Sequence, residues 1–358
     1  MAYTTIDNPE LYFQIVTYTG DGNTGRSITL PGDTDMQPDL VWLKSRGEAE
    51  HHQLTDSVRG VNKQLYSHLA YSEATETDRI TAFNSDGFTI EDDIIVNKDT
   101  VAFVAWCWKA GTAFSNDASA TSVGNTDSSG SASSTAGFSI SKYVGVGSSL
   151  DIQVKHGLSV KPAVMITKNI EEAGGNSWAV YHHKNTSAPE TDYLKLDTTD
   201  ATTDHDEIWL DTEPTSAVFT AGDHSGSNRL DDDFISYFWN EVQGYSKFGS
   251  WTGNGDADGT FVYTGFRPAW VVVKESSGTS NWLMFDNKRD TSNGVDNYVK
   301  ANASDAENSG TDYMDFLSNG FKCRTSQTFF NESGSTYIYM AFAEAPFVNS
   351  NGVPCNAR

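Results

Sequence analysis

The chain has 358 residues, a formal net charge of −24 and 12% aromatic residues. It is long for one hydrophobic core and comfortable for two or three domains of about 100–150 residues. The acidic balance repels nucleic-acid phosphates and anionic membrane surfaces, so neither is an expected partner, and no stretch approaches the ~20 apolar residues of a membrane span.

In chain order, Met1 to Glu10 is a short polar arm with neither the basic region nor the apolar core of a classical export signal. An aromatic strand and a Gly-rich turn follow, Phe13 to Gly25. Next comes Pro38-Asp39-Leu40-Val41-Trp42-Leu43-Lys44: a proline, an apolar β-type run and a closing lysine. The phrase returns as Pro162-Ala163-Val164-Met165-Ile166-Thr167-Lys168 and again as Pro268-Ala269-Trp270-Val271-Val272-Val273-Lys274. Its spacing far exceeds the roughly 20–50 residues of a solenoid repeat. The chain therefore reads as one β-domain written three times.

Each copy also opens on an aromatic strand, at Phe13, Phe138 and Phe248. Each closes on another: Val101 to Trp108, Phe234 to Trp239 and Tyr337 to Phe342. Copies one and three share an Asp-x-x-Arg pair, Asp56 with Arg59 and Asp286 with Arg289; copy two has His182 and Asn185 there. The same two copies share an Asx-Gly-Phe turn, Asp86-Gly87-Phe88 and Asn319-Gly320-Phe321.

Seven or eight strand candidates per copy, polar turns and no long apolar stretch at helical spacing predict an all-β chain. The expected architecture is three tandem antiparallel β-sandwich or jelly-roll modules. Residues 1–112 would hold the arm and module one, 113–136 a Ser/Ala-rich linker strap, 137–243 module two, 244–345 module three and 346–358 a C-terminal arm. The strap, dominated by Ser, Ala, Thr, Gly and Asn, has the composition of a flexible linker but is expected to lie extended on a neighbouring domain or subunit. It would hold copy one off, while copies two and three abut. Short helices are expected near Ser72 to Arg79 and Ala301 to Asn308. The Leu40–Leu43 run lacks polar alternation, so both of its faces should be covered. In the last closing strand Ile338, Met340 and Phe342 share one face, and Tyr337 and Tyr339 the other.

Candidate chemistry is sparse. Glu207, Asp211 and Glu213 would share one face of a strand, as a retaining glycosidase requires of its carboxylates, but Trp209 stands between them and Pro214 ends the run. An exposed acidic edge is the preferred reading. Asn254 to Gly259 begins like a calcium loop, yet Gly265 stands where an EF-hand needs its final acid, so a hairpin turn is preferred. Asp231, Asp232 and Asp233 read as a solvated acidic turn. The adjacent pairs His51-His52 and His182-His183 would point to opposite faces of a strand and cannot chelate alone. Asp56–Arg59 and Asp286–Arg289 are expected to brace a loop through a charge-assisted hydrogen bond. Trp178, Trp251 and Trp282, near predicted strand ends, are candidates to stack on sugar rings. Cys107, Cys323 and Cys355 cannot form a closed disulfide set and read as idle thiols. No catalytic residue and no cofactor is assigned, calcium being the one cation weighed.

Copy three resembles a repeated domain of tailed-bacteriophage virion proteins, mainly from phages of marine bacteria. The resemblance runs from Gly244-Tyr245-Ser246-Lys247-Phe248-Gly249 through Thr264-Gly265-Phe266-Arg267-Pro268-Ala269-Trp270 to Tyr337-Ile338-Tyr339-Met340-Ala341-Phe342-Ala343-Glu344. Thr135-Ala136-Gly137-Phe138-Ser139-Ile140 with His156-Gly157-Leu158 is similar to the start of the preceding module in such proteins. The resemblance implies concanavalin-like or laminin-G-like sandwich domains in a non-enzymatic virion component assembled in the host cytoplasm. The first expectation is a tail fibre or tail-associated protein that contacts the host surface. It would be a homo-oligomer, with other virion proteins and possibly host polysaccharide as partners. A capsid decoration protein or head fibre, with Met1 to Glu10 as its anchor, is the nearest alternative. A carbohydrate-binding module or a glycan depolymerase comes after it.

Overall fold

The computed structural model describes residues 2–147, 151–172 and 175–355, and it is all-β. Module one contains β1 (Phe13–Thr19), β2 (Arg26–Thr29), β3 (Leu40–Ser45), β4 (Gln53–Asp56), β5 (Lys63–Gln64), β6 (Ala74–Thr75), β7 (Ile80–Asn84), β8 (Gly87–Ile90) and β9 (Ala102–Trp108). The strap contributes β10 (Thr112–Asn116) and β11 (Ser128–Ser133). Module two follows with β12 (Phe138–Val144), β13 (Ile152–Lys155), β14 (Val164–Asn169), β15 (Ala179–His182), β16 (Asp192–Lys195), β17 (Thr203–Asp204), β18 (Val218–Ala221) and β19 (Asp233–Trp239). Module three holds β20 (Ser246–Thr252), β21 (Phe261–Tyr263), β22 (Phe266–Glu275), β23 (Leu283–Asp286), β24 (Val295–Lys300), β25 (Asn308–Leu317), β26 (Gly320–Cys323) and β27 (Thr336–Pro346).

The repetition in sequence is a repetition of pairing. The inner sheets run β1-β9-β3-β4, β12-β19-β14-β15 and β20-β27-β22-β23, all antiparallel. In each, the closing strand lies between the opening strand and the Pro-to-Lys strand. A smaller outer layer packs on one face: β2-β8-β7 in module one, β13-β18 in module two, and β24 to β26 with β21 in module three. The recurring Asx-Gly-Phe turn is required by this outer layer. A Cβ on Gly87 would lie 2.0 Å from Ile28 O, and one on Gly320 would lie 2.0 Å from Val262 O.

Each inner sheet is buried on both faces. Phe103, Ala105 and Cys107 of β9 face module one's own core, as Phe234 and Phe238 do in module two and Tyr337 and Tyr339 in module three. The alternate residues, Trp106 and Trp108, Tyr237 and Trp239, Met340 and Phe342, all enter one central cluster shared by the three modules. The second face of every apolar run is therefore covered by the other two modules. Trp108 meets Trp239 at 6.3 Å and Phe342 at 5.8 Å between ring centroids. Modules one, two and three form a ring with pseudo-threefold symmetry.

The strap does lie extended on a neighbouring module, and as paired strands: β11 pairs with β12 along its length and extends the module-two sheet, with β10 outside it. Several other expectations change. Copy one is not held off but closes the ring against modules two and three. No helix forms at Ser72 to Arg79 or Ala301 to Asn308, where β6 and loop stand instead. The N-terminal arm is folded onto the ring. Ile6 is 2% exposed in the central cluster, Tyr3 Oη donates to Gly265 O at 2.7 Å, and Ser350 N–H donates to Asp7 Oδ1 at 2.6 Å. Of the expected C-terminal arm, residues 356–358 lie outside the described residues. Among the described residues no helix is long and apolar enough to cross a membrane.

Candidate functional site: a triplicated junction and one divergent surface

The recurring acid–base pair and the closing lysine of each phrase lie at the junctions of the ring. Asp56 and Arg59 form a buried pair, Nε to Oδ2 at 2.5 Å, and Asp286 with Arg289 repeats it at 2.6 Å. Each carboxylate also holds a side chain from another module's closing strand. Tyr237 Oη donates to Asp56 Oδ2 at 2.7 Å, and Trp106 Nε1 donates to Asp286 Oδ2 at 3.0 Å. In module two the equivalent position is His182, whose Nε2–H donates to Tyr339 O of module three at 3.1 Å. Its Nδ1 accepts from Lys184 N, which fixes that tautomer. The contacts run two onto one, three onto two and one onto three, as a closed head-to-tail ring requires.

A main-chain bond at each junction obeys the same cycle. Glu73 N–H donates to Ile170 O at 2.8 Å, Thr202 N–H to Ser276 O at 2.9 Å, and Glu307 N–H to Arg46 O at 2.8 Å. Trp178 and Trp282, expected to stack on sugar rings, belong instead to this set of junction contacts. Both are buried, with Trp178 Nε1 donating to Tyr66 O at 3.0 Å and Trp282 Nε1 to Lys195 O at 2.9 Å. His52 takes their place in module one: its Nδ1 accepts from Trp42 Nε1, and its Nε2–H donates to Lys300 O at 2.9 Å. Trp251 is buried too, stacked on Tyr337 at 5.1 Å inside module three. None of the three indoles leaves a face for a sugar ring.

The lysine that closes each phrase is buried. Lys44, Lys168 and Lys274 donate to Ser45 O at 2.8 Å, Asn169 O at 2.6 Å and Glu275 O at 2.6 Å. Lys168 and Lys274 also reach carbonyls of the neighbouring module, Ala70 O at 3.5 Å and Thr199 O at 3.3 Å. Burial, which disfavours the ammonium, pulls all three down to about 8. Burial likewise pulls His68, His156 and His224 down to about 4 and His182 to about 3.

These shifts predict the pH profile. Between about pH 8 and 10.5 the unfolded chain holds lysine protons that the folded chain has shed, so stability rises with pH there. Below 6.5 the unfolded chain protonates histidines that the fold keeps neutral, so stability falls with acid. Urea midpoints should climb from pH 7.5 to 9.5 and drop below pH 6. Lys274→Met should reduce the alkaline climb; an equal climb in that variant would contradict the assignment.

The carboxylate row at Glu207 is not a strand. His205 caps a single-turn helix, Asp206–Trp209, by accepting from Glu207 N, and Leu210 and Asp211 then adopt left-handed φ of 53° and 45°. Glu213 pairs with Lys161 at 2.7 Å. In the Asn254 loop, Asp258 pairs with Lys322 at 2.5 Å, and hydrogen bonding to that lysine holds its carboxyl below the usual range. Asp232 accepts from Asn169 at 2.7 Å, and Asp233 pairs with Lys142 at 2.6 Å. Among the described residues no group of three or more His, Cys, Asp or Glu side chains is placed to hold a metal ion. Cys107 and Cys323 are buried free thiols, and Cys355 is exposed.

The copies differ on their outer layers. On β21, Phe261 and Tyr263 are 43% and 55% exposed, flanking buried Val262. The register places Phe261 beside Lys322 and Tyr263 beside Gly320, so the surface near Tyr263 is flat. Tyr3 Oη lies 3.3 Å from Tyr263 Oη and extends the aromatic strip. The same positions hold Ser27 and Thr29 in module one and Gln153 and Lys155 in module two. Little in the sequence marks this face: Phe261-Val262-Tyr263 is apolar throughout, and only the register that turns Val262 inward shows that the two rings face out.

At the centre of the ring the chain leaves a cavity of only about 20 Å³, lined among others by Trp108, Trp239, Trp270, Trp282, Val272 and Met340. It has room for about one water and is too apolar to hold it. The junction is therefore tightly packed scaffold with no room for a ligand. The chain matches, over residues 8–346, the family described as a domain of unknown function (DUF7483), and it belongs to that family. The matched span covers all three modules. No curated protein and no solved structure matches the chain.

Proposed function

We propose that this chain is a non-enzymatic structural component of a tailed-phage virion that contacts the host surface through the outer layer of module three. One observation carries the reading. The recurring ion pairs and the closing lysines are buried at the junctions, while module three alone turns Phe261 and Tyr263 outward where the others carry Ser27, Thr29, Gln153 and Lys155. Aromatic rings on a flat sheet stack on the apolar faces of sugars, and the −24 charge favours a neutral over an anionic polysaccharide.

The compact ring also favours a bead-like placement, a capsid decoration protein or the head of a fibre, over an extended shaft. One chain supplies in cis the threefold arrangement that three single-module chains would supply in trans.

The test is binding to host polysaccharides on a glycan array. Phe261→Ala with Tyr263→Ala should weaken the signal at least about tenfold, since each stacked ring contributes about 1 kcal/mol. Wild-type binding that survives the double substitution would remove this surface from the account. Density for the ring in a reconstruction of purified particles tests the virion assignment separately.

A further inference from the structure

A cleft of about 790 Å³ lies beside the aromatic strip of module three, within the roughly 300–1,000 Å³ usual for small-molecule sites. Three parts of the chain wall it. Glu10 comes from the N-terminal arm, Arg267 and Glu344 from β22 and β27, and Phe316, Leu317 and Asn319 from the end of β25 and the turn after it. Asn293 fixes that turn, because its Nδ2 donates to Phe316 O and its Oδ1 accepts from Phe316 N, both at 2.9 Å.

Strip and cleft meet at Gly265. Tyr3 Oη, at the end of the strip, donates to Gly265 O at 2.7 Å, and Asn319 O accepts from Gly265 N at 3.2 Å. Gly265 has a left-handed φ of 85°, and a Cβ there would lie 2.8 Å from Tyr3 Oη. Tyr263 itself lies opposite Gly320, the neighbour of Asn319.

The cleft is particular to module three. In module one the residue equivalent to Asn319 is Asp86, whose Oδ1 is occupied by Met36 N at 3.3 Å. In module three the corresponding N–H, that of Phe266, goes to Thr264 Oγ1 at 3.4 Å. The Asn319 amide group then bonds to no other group among the described residues. Gln37 and Ala110 stand in module one where module three has Arg267 and Glu344, and in module two the equivalent Lys161 pairs with Glu213 instead.

The polar groups suit hydroxyls. Glu10 commits Oε2 to Asp33 N at 3.0 Å, and Glu344 commits Oε2 to Arg267 Nε at 2.8 Å; among the described residues each Oε1 keeps its acceptor capacity. Carboxylate oxygens accept charge-assisted bonds from hydroxyls, and the Asn319 amide both donates and accepts. Two carboxylates against one guanidinium leave the cleft net negative, which disfavours an acidic sugar.

We propose that this cleft is a subsite for a hydroxyl-rich neutral sugar, the unit next to the one stacked on Tyr263. It rests on the reading of the strip as a glycan surface and adds to it a hydrogen-bonding end that sets which sugar is accepted.

The test is calorimetric titration of the full chain with neutral hexasaccharides of glucose, mannose, galactose and N-acetylglucosamine, and with an oligouronate as the charged control. At least one neutral oligomer should bind, and the oligouronate should bind at least about tenfold more weakly than it. Glu10→Gln with Asn319→Ala should weaken the best neutral ligand at least about tenfold, the loss expected for one charge-assisted and one neutral hydrogen bond. If that pair melts early, Asn319→Trp, which fills the cleft and keeps the main-chain bonds of the turn, should weaken binding likewise. Binding lost in Phe261→Ala with Tyr263→Ala but unchanged in both cleft variants overturns the subsite and leaves the strip standing. Binding lost in the cleft variants alone supports the subsite and removes the strip. No binding by any neutral oligomer at millimolar concentration, or an oligouronate bound as tightly as the best of them, overturns the proposal.

Discussion

Replacing Asp286 by alanine should destabilise the chain by about 3–5 kcal/mol, measured by urea unfolding. The cost comes from what is left behind. Arg289 is 0% exposed at its side chain and keeps its charge, with Met284 O at 2.8 Å and Glu307 at 3.0 Å as remaining partners. Trp106 loses the acceptor of its Nε1–H, and the turn loses the bonds from Lys288 N and Arg289 N to Asp286 Oδ1. Asp56→Ala should behave alike, because it strands Arg59 and the Tyr237 hydroxyl in the same way. A chain that keeps its stability in either variant would show that the pair does not hold the junction. The paired change Asp286→His with Arg289→Asn, which imports module two's uncharged solution at His182 and Asn185, should cost less than Asp286→Ala. It leaves no buried charge unpaired.

The second large effect lies at the centre of the ring. Trp108→Ala should cost about 3–5 kcal/mol, the usual penalty for deleting a large buried aromatic. Trp108 is 1% exposed and touches Phe13 of its own sheet, Trp239 of module two and both Trp270 and Phe342 of module three. The distinctive expectation is where the loss appears. Exchange protection should fall in β19 and β27 as well as β9, because the cavity opens onto all three modules. Protection lost in module one alone would mean that the central cluster does not couple them.

Much of a single module was legible in the sequence. The Pro-to-Lys phrase marked the strand buried on both faces, and the alternation in Tyr337 to Phe342 separated its two faces correctly. What covered the second face was not legible, because that partner is another copy of the same phrase more than a hundred residues away. The misplacement of Trp178 and Trp282 follows from this. A tryptophan at a strand end reads as exposed until a neighbouring module supplies Tyr66 O or Lys195 O for its indole N–H. That the strap lies on a neighbour was legible, but not that it pairs as a strand, because Ser, Gly and Ala have weak β-propensity. Pairing against β12 overrides that preference, and Gly130 is there for close approach. The acidic run at Glu207 carried a helix start that went unnoticed, with a cap at His205 and acids in the first turn. Module three's aromatic strip was not legible, because Phe261-Val262-Tyr263 is apolar throughout and only strand pairing decides which residues face outward.

Differential scanning calorimetry of the intact chain tests the ring most directly. If the shared cluster and the cyclic bonds at its junctions bind the modules into one unit, the chain melts in a single transition whose calorimetric and van't Hoff enthalpies agree. Two or three separable transitions, each following the stability of one module, would contradict it.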